Sequence, residues 1–115
     1  GVSSKGNTLD SEMDPRFGRG AYFIIYDTES KSWKCFENQA AQAAGGAGGQ
    51  ASQSMADQNV DAVISGNFGP NASRALKAFG ISMYQAPEML VNEAIEALKK
   101  GHLTPVDGPT VKGKH

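Results

Sequence analysis

Val60-Asp-Ala-Val-Ile-Ser-Gly-Asn-Phe-Gly-Pro-Asn-Ala-Ser-Arg-Ala-Leu-Lys-Ala-Phe-Gly-Ile-Ser-Met-Tyr84 is the stretch whose reading decides the fold. Val60–Ile64 is short, apolar and β-branched, which predicts a buried strand ending at Ser65-Gly66. Ala72, Ala75, Leu76 and Phe79 then fall at i, i+3, i+4 and i+7, the spacing of one helix face. Pro70 suits the first helical position because its missing N–H has no intrahelical partner there, and Gly80 suits the stop. Ile81–Tyr84 is the next strand. A strand, a crossover helix and a strand predict parallel pairing, with ligands bound beyond the carboxyl ends of those strands.

Working outward, Val91, Ala94, Ile95 and Leu98 make a second one-sided stripe, so a last helix is expected to open at Pro87 and close at Gly101. From His102 onward, Pro and Gly among Lys and Thr predict an unpacked tail over residues 102–115. Upstream, Ala21-Tyr-Phe-Ile-Ile-Tyr26 is apolar on both faces and reads as a central strand. Asp27–Ser32 supplies a turn and Trp33-Lys-Cys-Phe36 the returning strand of a hairpin. Gln50–Gln58, with Ala51 and Met55 one turn apart, is read as a helix. Gly1–Ser4 resembles the end of a strand that begins before this sequence does. The order β-β-β-α-β-α-β-α predicts an α/β fold: a three-layer α/β/α domain over residues 1–101, built on a mixed five-stranded sheet.

Composition bounds the chemistry. A chain of 115 residues, 39% hydrophobic and 20% charged with net charge −1, supports one globular core. It shows no bulk electrostatic footprint for nucleic acid or an anionic membrane. Cys35 is the single cysteine, so no internal disulfide forms, which fits a reducing cytoplasm. No apolar run approaches membrane-spanning length. Histidine occurs only at His102 and His115, and no spacing suggests a serine–histidine pair or a zinc, calcium or haem site. An enzyme is not expected.

Glycine is concentrated instead in three loops, Asp14–Gly20, Ala43–Gln50 and Ser65–Asn71, which expose main-chain N–H groups suited to a compact anion. Arg16 and Arg19, two of three arginines in the chain, flank Phe17 and Gly18, and offer fixed charge and a planar donor fork. The alternative is a turn whose arginines merely meet surface carboxylates such as Asp14 and Glu12, but two arginines in six residues favour the functional reading. The tract Ala44-Gly-Gly-Ala-Gly-Gly49 reads either as an N–H nest at a helix start or as a linker. Gly46–Ala51 also matches the dinucleotide pattern G-x-G-x-x-A, which keeps a nucleotide- or phosphate-binding domain as the alternative. The preceding strand, however, ends several residues too early for that motif. Asn67, Phe68 and Gly69 complete the set, with Gly69 and Pro70 explained by helix entry alone. Cys35 reads as a small core residue and His102 as a cation at a helix end.

Taken together, Leu9-Asp10-Ser11, Pro15-Arg-Phe-Gly-Arg19, Glu37-Asn38, Gly66-Asn-Phe-Gly-Pro70 and Ala75-Leu-Lys-Ala-Phe-Gly-Ile81 resemble the dinitrogenase iron–molybdenum cofactor family over most of the chain. The resemblance implies a ribonuclease-H-like fold and non-enzymatic binding or carriage of a metal–sulfur cluster, with delivery to a recipient protein. Many members carry histidines where this chain has Ala43–Gly49. Their absence is similar to the orange-protein subset, whose cofactor is a molybdenum–copper sulfide cluster. The residues expected to hold such an anion are Arg16, Phe17, Gly18, Arg19, Ala44, Gly45, Gly46, Gly48, Gly49, Asn67, Phe68 and Gly69, with no metal ligated directly by protein.

Overall fold

The structure is a computed structural model that describes residues 1–39 and 47–110. Its strands are β1 (Val2–Ser4), β2 (Tyr22–Tyr26), β3 (Trp33–Glu37), β4 (Ala62–Ser65), β5 (Ser82–Gln85) and β6 (Thr104–Val106); its helices are α1 (Ala47–Asp57), α2 (Pro70–Ala78) and α3 (Val91–Lys99). They form one mixed six-stranded sheet in the order β3-β2-β1-β4-β5-β6. β1 runs parallel to β4, and β4 parallel to β5 in the register Val63↔Met83, while β2, β3 and β6 join antiparallel.

Side-chain alternation along the central strands divides the interior in two. Phe23, Val63 and Met83 point to a cluster closed by Ala51 and Met55 of α1 and Ala72 and Leu76 of α2. Their neighbours Ile24 and Ile64 point to the opposite cluster, with Val91, Ala94 and Ile95 of α3. The three layers expected from the sequence are therefore present. Both glycine stops hold as well. Gly80 and Gly101 take φ +75° and +74°, and the next N–H reaches back to Leu76 O and Ala97 O, completing Schellman-type closures. Among the described residues no helix is long and apolar enough to cross a membrane.

Three expectations need correction. The sheet has six strands, not five, because the presumed tail supplies β6. Pro105 is tolerated there since β6 is an edge strand that need not donate outward, and buried Leu103 anchors its approach. Residues 111–115 lie outside the described residues. The last helix starts at Val91 and not at Pro87, because long-range bonds hold the preceding residues extended: Met13 N–H to Met89 O at 3.0 Å and Val91 N–H to Ser11 O at 2.8 Å. Phe79, placed on the apolar stripe of α2, is instead its exposed C-cap residue.

Candidate functional site

The topology sends several connections to one edge. β1 and β4 are parallel and leave at the same end, β2 begins opposite the end of β1 (Ser4↔Tyr22), and β3 ends opposite the start of β2 (Tyr22↔Glu37). Residues 14–20, the N-terminus of α1 and residues 66–69 therefore share a rim at the carboxyl ends of the parallel strands. How closely they meet is read from the glycines. A Cβ on Gly18 would lie 3.1 Å from the N and Cα of Gly48, one on Gly48 would lie 3.0 Å from Ala72 N, and one on Gly66 would lie 2.8 Å from Pro15 Cα. Gly18 has φ +96°, a conformation that disfavours any side chain. The first turns of α1 and α2 thus adjoin one another and the Pro15–Gly18 loop. Each brings main-chain N–H groups without intrahelical partners and the positive end of a helix dipole.

Side chains then pin the loops. Asp14, with its side chain only 6% exposed, accepts the Arg16 main-chain N–H at 2.9 Å, an Asx turn, and pairs with the guanidinium through Nε at 3.3 Å and Nη2 at 3.4 Å. The Arg16 head itself is at the surface, its side chain 66% exposed, and the Asp14 bonds occupy two of the five guanidinium N–H groups. Arg19 is exposed and its main-chain N–H donates to Arg16 O at 3.1 Å. Asp14, Arg16 and Arg19 together carry one net positive formal charge. Beneath them, Ser3 Oγ donates to Asp14 O at 2.7 Å and lies 2.9 Å from Ser65 Oγ. Asn38 Nδ2 donates to Gly18 O and Gly20 O at 3.0 and 2.9 Å, and Gln85 Nε2 to Gly66 O at 2.9 Å. Phe17 N–H donates to Asn67 O at 3.2 Å, joining the first loop to the third.

Of the residues singled out from sequence, Arg16, Gly18, Arg19, Gly48, Gly49, Asn67 and Gly69 lie along this rim, whereas Phe17 and Phe68 lie under it. Phe68 is fully buried and Phe17 nearly so, the two rings 5.5 Å apart in the core against α1 and α2. Gly48 and Gly49 sit in the first turn of α1, not in an open loop. Ala44, Gly45 and Gly46 lie outside the described residues. The carboxylate expected to meet Arg16 at the surface is buried, and Glu12 pairs with Lys5 instead. Of the pinning residues, Asn38 was legible only through the family resemblance and Ser65 only as the edge of a glycine loop, while Ser3 and Gln85 are recruited by tertiary contact.

Cys35 and His102 are elsewhere. Cys35 packs toward the opposite, α3-side layer, where partial burial raises its thiol above the ordinary value and disfavours the thiolate that binds metal. His102 lines a shallow concavity on the outer side of α3 with Glu96 and Lys100. A groove of about 470 Å³ lies at the far end of the sheet, between Tyr26–Glu29 and Gln58–Ala62, and includes no rim residue. Among the described residues no three His, Cys, Asp or Glu side chains gather as a metal site. What the rim offers is donors and cationic charge.

The dinitrogenase iron–molybdenum cofactor family profile matches residues 2–101. The chain belongs to this family. Among solved structures, it superposes on the apo form of the orange protein from Desulfovibrio gigas with TM-score 0.91 and 34% identity, over 96% of this chain and 93% of that one. A NifB-like protein from Thermotoga gives TM-score 0.85 and 39% identity over 97% and 96% of the two chains. An uncharacterized protein of Methanocaldococcus jannaschii is 31% identical over 97 residues, 82% of each chain. The nucleotide alternative gains nothing from these family relatives. Among the described residues the strand before the glycine tract is also wrong for a dinucleotide site, since β3 ends at Glu37 and is an antiparallel edge strand.

Proposed function

We propose that this family member binds and carries an anionic metal–sulfur cluster at the rim, without catalysing a reaction. The observation that carries the reading is the meeting of the Pro15–Gly18 loop, residues 66–69 and the N-termini of α1 and α2 beside Arg16 and Arg19, in a chain of the dinitrogenase cofactor family. Sulfide-rich anions are soft, weak acceptors. Many main-chain N–H groups and a guanidinium suit them better than a few strong ligands. Arg16 keeps three N–H donors beyond those turned to Asp14, so it can face an anion without leaving its anchor.

A molybdenum–copper sulfide cluster is the form we favour, with an iron–molybdenum–sulfur cluster as its relative. A protein recipient for the cargo and a cytoplasmic location complete the proposal. We also read the layered sheet as the ribonuclease-H-like arrangement that the family resemblance implies.

The test is reconstitution with molybdate, sulfide and copper(II), followed by gel filtration and metal analysis. A coloured species should co-elute with protein, and elution of colourless, metal-free protein would refute the proposal. Arg16→Ala and Arg19→Ala should each weaken retention by about 10- to 100-fold, the worth of a charge-assisted hydrogen bond. Circular dichroism should stay at the wild-type shape.

A further inference from the structure

The segment after β6 does not trail away. It ends its described course at Thr110, half-buried against the third rim loop. Phe68 N–H donates to Thr110 Oγ1 at 2.7 Å, and Thr110 N–H donates to Phe68 O at 2.8 Å. The single hydroxyl proton has two acceptors in reach, Phe68 O at 3.4 Å and Asn67 Oδ1 at 3.5 Å. One residue therefore closes a two-way main-chain and hydroxyl clamp on Phe68, across 42 positions of sequence. From there the linkage continues inward, because Asn67 O accepts Phe17 N–H and Gly66 rests on Pro15.

We infer that Thr110 is a positioning residue for the rim: its hydroxyl fixes the Asn67–Phe68 turn, and through Asn67 it sets how the third loop approaches the arginine-bearing first loop. Two consequences follow from the chemistry. The hydroxyl takes the Phe68 N–H, so that donor does not serve a bound anion. The clamp also makes Thr110, and with it the segment after β6, part of the rim's scaffold. Its effect on cargo retention rests on the function proposed above; its effect on loop geometry does not.

The experiment compares wild type, Thr110→Val and Thr110→Ser by amide hydrogen exchange, amide chemical shifts and cluster retention after reconstitution. Thr110→Val removes the acceptor and donor at nearly constant size, while Thr110→Ser restores them. In the Val variant the Phe68 amide should exchange on the order of tenfold faster, as for loss of one hydrogen bond. The amides of Phe17 and Gly18 should shift, retention should fall and the melting temperature should drop by no more than about 6 °C; Ser should reverse all of these. Unchanged exchange at Phe68 overturns the clamp. Faster exchange at Phe68 with silent Phe17 and Gly18 amides overturns the positioning role. If wild type itself retains no cluster, the proposed function fails, and the amide shifts alone decide the positioning role.

Discussion

Gly18→Ala tests the central geometric claim, that the arginine loop is closed onto the start of α1. Two terms add. Alanine at φ +96° is strained, by about 1–2 kcal/mol for a left-handed residue. Its methyl group would meet Gly48 N and Cα at 3.1 Å and Ala47 C at 3.3 Å, all main-chain atoms that cannot rotate away. Forcing such a contact costs about 1–3 kcal/mol. The expected loss is about 2–5 kcal/mol, or at least ~8 °C in melting temperature at ~4 °C per kcal/mol for a domain of this size. Urea unfolding followed by far-ultraviolet circular dichroism measures it; Trp33, 41% exposed, is a poor reporter. Gly49→Ala is the control. A methyl group there would have no atom within 4 Å, and the residue is helical, so alanine should be neutral or add up to ~1 kcal/mol. If the two variants unfold at the same urea concentration, the loop is not closed on the helix as described, and the convergence argument fails with it.

Phe68→Ala should destabilise the fold by about 3–5 kcal/mol in the same assay, since the ring is fully buried; a loss below ~1 kcal/mol would return Phe68 to the ligand-facing rim. Cys35 should react with iodoacetamide more slowly than a free thiol at pH 8 and reach that rate only on unfolding, because burial holds its thiol protonated. Asp27 accepts the Ser30 and Glu29 main-chain N–H groups, which lower its carboxyl below the ordinary 3.8. Its folded value is depressed, so the turn's stabilisation is present above the unfolded value and is lost as pH falls through the folded one. A nuclear magnetic resonance titration of the Asp27 carboxyl carbon with a midpoint at or above 3.8 would contradict this.

The parts of the fold that were legible are those with local causes. The stripe of α2, its proline entry and its glycine stop all lie within one short segment, and the alternation of β2 and β4 separates the two interior clusters. Convergence of the first and third glycine loops was legible too, because parallel strands deliver their exits to one edge. What was missed depends on residues distant in sequence. Glu12 bridges Leu90 and delays α3, Asp14 is buried only because the chain folds back over it, and Thr110 finds Phe68 from the far end of the chain. Phe17 and Phe68 look like exposed loop apices in sequence, yet both rings turn inward and pack on one another, Phe17 beside a glycine at φ +96°.

β6 is three residues long with a proline at its middle, and it lies along the outer side of β5. Composition marks it as dispensable, but removing it would leave Ser82–Gln85 as bare main chain open to a strand from another molecule. A chain shortened at Gly101 should therefore self-associate at concentrations where the intact protein stays dispersed. On this reading β6 serves as a bumper between molecules.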